Sequence, residues 1–441
     1  MLSDVLLLAN DVPRSPPDWR RLGQHLPFEW IEEALEFKGK ASIRHRRLPA
    51  QQVVWLVIAL ALYRHLSVKE VLDDLDLAMV DSKDRCATAS AACQARQRLG
   101  AEPLQWLFER SAKAWHDQDS AHHLFLGLNL FAVDGTTLRL ADSAANREHF
   151  GGQSYAQGKQ ASYPQTRGVT LTTVPTHLVL DARFGPYKTH ETCLVRDLLP
   201  SVPDNSLTVF DRGFLSAELL CHLTNNGSQR HFLIPAKSST KWTLVSGTAD
   251  DGIVEMKVSD ALMKRDATLN ATWRARAIRI PTKGELKYLL TSLTDQRAFP
   301  AAALVACYWR RWEIETSFRE IKQSMLGSAH TLRSMTVDGV TQEIWGALIA
   351  YNLLRTEIAK AALEAKCEPT AISFTLALRT IQYELFIAAA TQAQGKLPAG
   401  LQRLRKRLVQ DLKEFRPDRK SPRVVKAKAQ RYPEKRLKTT P

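Results

Sequence analysis

Apolar residues recur at three- and four-residue spacing over roughly the first 118 positions, the period of helices that bury one face. DWRRLGQHLPFEWIEEALEF keeps that spacing, as does the run from Pro49 to His65. Inside the second run, VVWLVIALALY (residues 53–63) is apolar on every side, which predicts a fully buried helix. It is too short to span a bilayer, which needs ~20 residues. SVKEVLDDL opens with Ser67 and has Glu70 three residues on, the pattern of a capping box. ATASAACQARQRLG predicts an Ala-rich helix stopped by Gly100, and EPLQWLFERSAKAWHDQ predicts the next one.

Near His123 the pattern becomes strand-like. HLFLGLNLFAVDGTTLRL predicts a strand with Asp134 inside it or at its end, and GVTLTTV and THLVLDARF predict two more. THETCLVRDLLP reads as a helix, SLTVFDRGF as a strand ending at Asp211, SAELLCHLTNNG as a helix with an Asn-Gly stop, and HFLIPAK as a short strand. From Trp242 to about Thr294 the chain is β-rich, in GIVEMKV, ATWRARAIRI and KYLLTSL. A helix is expected from Ala301 to Leu326, with others near 341–363 and 370–394. The order predicts a mixed α/β core. Three units are expected: an all-helical segment 1–118, an α/β unit 119–360 with a β-rich insertion at about 240–295, and C-terminal helices with a tail, 361–441.

Composition narrows the function. With 44% hydrophobic and 24% charged residues over 441 positions, the chain reads as soluble and globular. MLSDVLLLAND has no basic lead and no small-residue cleavage site, so a cytoplasmic location is expected. Six scattered cysteines form no CxxC pair and the histidines show no HExxH spacing, which argues against disulfides and against a zinc site. GGQSYAQGKQ lacks the glycine spacing and the hydroxyl residue of a phosphate-binding loop. Charge is more telling. Of the formal +15, the segment from Arg403 onward carries +11, with fifteen Lys and Arg against four Asp and Glu. A basic tail on a near-balanced body points to a polyanion, most often nucleic acid. Arg44, His45, Arg46 and Arg47 suit DNA docking by the helical segment, and suit plain scaffolding as well.

The chemistry concentrates in YWRRWEIETSFREIK, residues 308–322. On one continuous helix Tyr308, Arg311, Glu315 and Lys322 fall at about 0°, 300°, 340° and 320°, a stripe roughly 60° wide beside the apolar arc of Ile314, Phe318, Ile321 and Met325. A carboxylate flanked by cations at the border of a buried face suits a metal or phosphate site. Asp134 and Asp211 each follow an apolar strand, 77 residues apart, and Glu315 follows 104 residues later. Three carboxylates from separate elements suffice for two Mg²⁺ ions about 3.5–4 Å apart, because each ion keeps waters and takes only one or two protein carboxylates. The spacings permit convergence without requiring it. Each acid also has a plain alternative: Asp134-Gly135 as a turn, Asp211 as a strand-end cap, and Glu315 as a partner of Arg311 and Arg319. Asp142 and Asp181 are rival ligands, Glu191 a neighbour at best, Lys237 a phosphate contact or a surface residue. Gly213 suits a tight strand exit and Phe214 the core.

Three segments together, AVDGTTLRLADSAANREHFGG, TVFDRGF and YWRRWEIETSFREIK, resemble the DDE transposases of bacterial insertion sequences, in particular the insertion-sequence-four group. The third fits that group's pattern of Tyr, two residues, Arg, three residues, Glu, six residues, Lys at Tyr308, Arg311, Glu315 and Lys322. RHRRLPAQQVVWLVIALALYRHLSVKEVL resembles the helical domain that precedes the catalytic core, so the likeness spans roughly residues 20–360. The resemblance implies a ribonuclease-H-like core in which Asp134, Asp211 and Glu315 bind two Mg²⁺, with Mn²⁺ able to substitute, and act as the catalytic residues. It implies that Tyr308, Arg311 and Lys322 contact DNA phosphates. It also implies double-stranded DNA as partner, both the element's terminal inverted repeats and the target, held by a homodimer on paired ends, with no membrane involved. Some relatives with a β insertion stack a tryptophan near a flipped base; Trp242 and Trp273 are the insertion's tryptophans, and neither fits a motif. The implied activity is cut-and-paste transposition. A nuclease or resolvase of the same fold without strand transfer, and a non-catalytic DNA-binding relic, are the alternatives.

Overall fold

The computed structural model describes residues 26–40, 48–74, 88–154, 161–281, 287–327 and 331–390, together with 405, 406, 408 and 409. The Arg44–Arg47 cluster and nearly all of the basic tail lie outside the described residues. Within the described N-terminal segment five helices form: α1 (Phe28–Phe37), α2 (Ala50–Leu62), α3 (Val68–Asp74), α4 (Ala89–Leu99) and α5 (Glu102–Asp119). The capping box at α3 is reciprocal: Glu70 N donates to Ser67 Oγ at 3.2 Å, and Ser67 N donates to Glu70 Oε2 at 2.6 Å. Thr88 caps α4 by accepting from Ala91 N at 3.2 Å, and Gly100 at φ +73° ends it, a conformation that costs glycine nothing. The apolar helix α2 is buried from Gln52 to Ala61 apart from the half-buried Trp55. No helix among the described residues is long and apolar enough to cross a membrane.

The sheet supplies the frame. Strands β1 (Asn129–Leu140), β2 (Gln165–Thr173), β3 (Val179–Pro186), β4 (Ser206–Phe210) and β5 (Arg230–Pro235) lie in the order β3-β2-β1-β4-β5. β2 and β3 run antiparallel to their neighbours, while β1, β4 and β5 are mutually parallel. Helix α6 (Ala144–Phe150) follows β1, and the crossovers are α7 (Glu191–Leu198) before β4 and α8 (Ala217–Asn225) before β5. The predicted β-rich insertion does not stand apart. β6 (Thr243–Gly247), β7 (Asp251–Lys257), β8 (Thr272–Ile280) and β9 (Lys287–Thr291), with the short helix α9 (Asp260–Arg265) between β7 and β8, extend the same sheet because β9 pairs antiparallel with β5.

Alternation along the strands sorts their side chains onto two apolar layers. Phe131 and Val133 of β1 join Leu194, Val195 and Leu220 on the α7–α8 face. Leu130 and Ala132 join Leu207, Val209, Leu304, Ile314 and Phe318 on the other. That second face is covered by α10 (Ala301–Trp309) and α11 (Trp312–Arg319). Sequence periodicity predicts one helix from Ala301 to Leu326; the structure corrects this. At residues 310–314 the hydrogen bonds tighten to three-residue spacing, with Arg311 N on Tyr308 O and Ile314 N on Arg311 O, both 3.0 Å. After Arg319 the chain loosens into a π-helical turn, Glu320–Met325. Such turns often mark functional sites.

Short β10 (Thr331–Leu332) pairs with the end of β1, and the 29-residue helix α12 (Val337–Ala365) follows, then α13 (Phe374–Ala390). Helix α12 shares one apolar core with α1, α2, α4 and α5, so the N-terminal helices close over it. The expected boundary at residue 360 falls inside this continuous helix, whose Ala361 and Ala362 still belong to the shared core. At Gly346 the helices α2 and α12 touch: a methyl group there would lie 2.5 Å from Val57 Cγ1 and 3.2 Å from Val57 O.

Candidate active site

Asp134 occupies the middle of β1, and its neighbour Gly135 is a strand residue opposite Val169 rather than a turn. It follows Ala132 onto the face that α11 covers. Strand β4 lies parallel to β1 with Phe210 opposite Val133, so Asp211, the first residue beyond β4, comes close enough to Asp134 for its charge to act on that carboxyl. Beyond Asp211 the chain turns away in a single 3-10 turn, Arg212–Phe214, with Phe214 buried beside Phe210 and Arg212 exposed. Helix α11 packs on β1 through Ile314 and Phe318 and carries Glu315, which is 44% exposed, toward the same place.

Electrostatics ties the group together. Burial pushes the Asp134 carboxyl up to about 6; the Gly135 N–H, which donates to Asp134 Oδ1 at 2.7 Å, and Arg311 oppose this, while Asp211 and Glu315 add to it. Arg311 is the cation the acids share: its Nη1 lies 3.8 Å from Asp134 Oδ2 and its Nη2 3.4 Å from Glu315 Oε1. Burial favours its neutral form, yet Tyr308, Asp211 and Asp134 outweigh that and hold it more firmly protonated. The Tyr308 hydroxyl is pushed up, first by burial and also by Asp211, against the pull of Arg311 with which it shares a hydrogen bond. Lys322 sits with its ammonium 5.8 Å from the centre of the Phe318 ring. It lines a small cavity with Thr136 and Thr170, one step along the sheet from Asp134. The tightened turn before Glu315 and the loosened one after it rotate the chain in opposite senses, and Lys322 stays on the Asp134 side.

The other acids lie elsewhere. Asp142 pairs with Arg147 at the start of α6. Asp181 accepts from Ala182 N at 2.7 Å and pairs with Arg183 at 2.5 Å. Glu191 sits on the opposite face of the sheet, against Gly135, where a Cβ would meet its carboxylate at 2.5–2.7 Å. Lys237 donates to Leu215 O at 3.3 Å. Trp242 packs edge-on against Tyr288 and Trp273 against Phe232, which occupies both rings of the insertion. Two tryptophans beside the site are more exposed: Trp309, 50% exposed, lies against the Tyr308 ring, and Trp312, 56% exposed, lies under the Arg311 guanidinium at 5.5 Å. Their signal in the sequence is their position beside Arg310 and Arg311, away from the apolar arc of Ile314, Phe318, Ile321 and Met325.

Among the described residues, no three of His, Cys, Asp and Glu form a ready-made metal cage. The donor set nonetheless suits hard cations. It is all oxygen, it carries more negative charge than Arg311 balances, and Mg²⁺ takes few protein ligands per ion.

A β3-β2-β1-β4-β5 sheet with acids on β1, beyond β4 and on a covering helix defines a ribonuclease-H-like DDE domain. The chain belongs to the insertion-element-4 family of DDE transposases. Residues 16–109 match the insertion element 4 transposase N-terminal family, and residues 126–353 match the transposase DDE domain. The chain is 34% identical over 422 residues to transposase InsG for insertion sequence element IS4 of Escherichia coli (strain K12), covering 93% of each protein. It is also 34% identical over 264 residues to the putative transposase InsZ of the same organism, covering 58% of this chain and 86% of that one. A cryo-EM structure of a piggyBac transposase synaptic complex with hairpin DNA is similar at TM-score 0.42 and 12% identity, over 88% of this chain and 82% of that one.

Proposed function

We propose that this transposase performs cut-and-paste transposition of an insertion sequence, with Asp134, Asp211 and Glu315 as its catalytic residues holding two Mg²⁺, replaceable by Mn²⁺. The observation that supports the reading is Arg311 in contact with both Asp134 and Glu315, with Asp211, just beyond the parallel neighbour strand β4, close enough for its charge to act on Asp134. Bound there, a pair of divalent cations would activate an attacking hydroxyl and neutralise charge on the attacking and leaving oxygens. The protein's own part is positional. The β1–β4 pairing sets the spacing of two carboxylates, α11 brings the third, and the half-buried setting of Asp134 keeps bulk water from screening the charges. With its carboxylates engaged elsewhere, Arg311 becomes available to a phosphate oxygen, alongside the Tyr308 hydroxyl and the Lys322 ammonium. Trp309 and Trp312 add exposed rings on which an unpaired base can stack. The N-terminal helices and the basic tail supply further phosphate contacts, and a homodimer holds two element ends. The protein acts in the cytoplasm, at the nucleoid.

Incubating the purified protein with pre-cleaved element ends and a target plasmid in Mg²⁺ tests this. Joined product is expected from the native chain, and none from Asp211→Asn or Glu315→Gln. Nicking without joining would reassign the protein as a nuclease or resolvase of the same fold. Undiminished cutting by Asp211→Asn would overturn the site.

A further inference from the structure

Helix α11 is only two turns long and is cut off from continuous α-helix at both ends, so something besides its narrow apolar stripe must set its rotation. Glu313 lies about 200° around the helix from Glu315, almost on the opposite side, and makes a handle for that purpose. Its Oε2 is 2.9 Å from Nε2 of His177, whose side chain is 1% exposed. His177 tops the turn between β2 and β3 at φ +61°, in the left-handed region. The turn is stapled by its own bonds: His177 N donates to Thr173 O at 3.0 Å, and Leu178 N to Thr173 Oγ1 at 3.0 Å.

Behind the ring stands Arg355 of α12, fully buried, with Nη2 in hydrogen-bond contact with both His177 Nδ1 and Glu320 Oε2. Tyr351 donates to Glu320 at 2.9 Å and accepts from Arg355 Nε at 3.2 Å. A guanidinium can only donate, so Nδ1 must offer its lone pair and the ring proton must sit on Nε2, aimed at Glu313. The 3.4 Å separation of Nδ1 from Glu320 Oε2 is then a contact between acceptors, both served by Arg355. Arg355 is pinned in turn by α12, whose Asn352 bonds both Val179 N and Val179 O at 2.9 and 2.7 Å.

We infer that His177 is a positioning residue for the active site: its Nε2 proton, fixed by Arg355, holds Glu313 and thereby sets the rotation of the helix that presents Glu315. This rests on the proposed role of Glu315. A misplacement of about 1 Å at a reacting group costs on the order of 100-fold, and loss of a partner that orients a ligand costs 10–100-fold in metal affinity or activity as a rule of thumb.

The test compares His177→Gln, His177→Asn, Glu313→Ala, the double variant His177→Asn/Glu313→Ala and Glu315→Gln in the full chain. Mn²⁺ binding is read by the free-ion EPR signal and nicking of an element-end duplex is followed against Mn²⁺ concentration. A glutamine amide reaches the place of Nε2, so His177→Gln should stay within about threefold of the native chain. An asparagine amide reaches only the place of Nδ1, so His177→Asn should need roughly 10–100-fold more Mn²⁺ for both readouts. Asparagine tolerates the left-handed backbone well, so its melting temperature should hold. Glu313→Ala should reproduce the loss, and the double variant should be no worse than either single one. If His177→Asn fails to fold, Glu313→Ala alone decides: unchanged Mn²⁺ dependence refutes the inference. Additive losses, or native behaviour of His177→Asn beside a dead Glu315→Gln, also refute it. If Glu315→Gln itself binds and cuts normally, the site reading fails instead.

Discussion

Replacing Asp134 by Asn removes a negative charge from a place where burial, Asp211 and Glu315 all disfavour it, while keeping an oxygen for the Gly135 N–H. The carboxyl is raised from 3.8 to about 6. That gap of about 2 pH units, at 1.36 kcal/mol per unit, makes the ionised group cost the metal-free fold about 3 kcal/mol. The sign follows from linkage. A carboxyl whose folded value is raised destabilises the fold fully above pH ~6, progressively less as the pH falls, and not at all below about 3.8. In EDTA near neutral pH, Asp134→Asn should therefore melt higher than the native chain. With about 2.1 cal/mol/K of unfolding entropy per residue, 441 residues melting as one unit turn 3 kcal/mol into a rise of about 3 °C. The advantage should close on acidification toward about pH 4, and Mn²⁺ should reverse the order by stabilising only the native chain. Circular-dichroism melts at several pH values, with and without Mn²⁺, beside a nicking assay that the variant fails, make the full comparison. A variant that melts at or below the native temperature near neutral pH, or an advantage that widens in acid, would refute the reasoning.

Three further outcomes are expected. Burial opposes ionisation of Glu320, but the buried Arg355 guanidinium first, and the Tyr351 hydroxyl with it, outweigh that and hold the carboxyl well below 4.5. Stability from this group is present above pH ~4.5 and lost as pH falls toward 2, so Glu320→Gln should flatten the acid-unfolding curve in that window and, by stranding buried Arg355, cost about 3–5 kcal/mol at neutral pH in urea titrations. Gly346→Ala should destabilise by about 1–3 kcal/mol despite alanine's better helix propensity, since its methyl meets Val57 backbone; an unchanged urea midpoint would mean α2 and α12 separate easily. Ending the chain at Leu401 removes fifteen Lys and Arg and should flatten the salt dependence of nonspecific DNA binding measured by fluorescence anisotropy; an unaltered slope would deny the tail a DNA role.

Several features were legible in the residues themselves because their causes are local. The Ser67–Glu70 capping box, the Gly100 stop and the strand-like apolar runs of β1 to β5 depend on neighbours a few positions away, and they form within a few residues of where the pattern places them. The spacing of Tyr308, Arg311, Glu315 and Lys322 is equally local, and together with AVDGTTLRLADSAANREHFGG and TVFDRGF it carries the family resemblance. What stood out less was the shape of that same segment. Helical periodicity runs unbroken through Arg310 and Glu320, and nothing in the apolar pattern separates a tightened turn or a π turn from regular helix. Trp242 and Trp273 drew attention as the insertion's aromatic residues, whereas packing against Tyr288 and Phe232 occupies them and leaves Trp309 and Trp312 exposed.

The sequence by itself determined most of the elements and their order, the three acids to propose as the site, and the class of protein, since periodicity, caps and motif spacing are properties of short stretches. Only the tertiary structure decided that β1 and β4 run parallel with Asp211 leaving β4 near Asp134, that the insertion continues the same sheet, and that α12 shares one core with the N-terminal helices. It alone joined His177, Glu320, Tyr351 and Arg355 into one buried network. Those facts depend on which distant segments bury one another, and a segment's periodicity shows that one face is covered without showing what covers it.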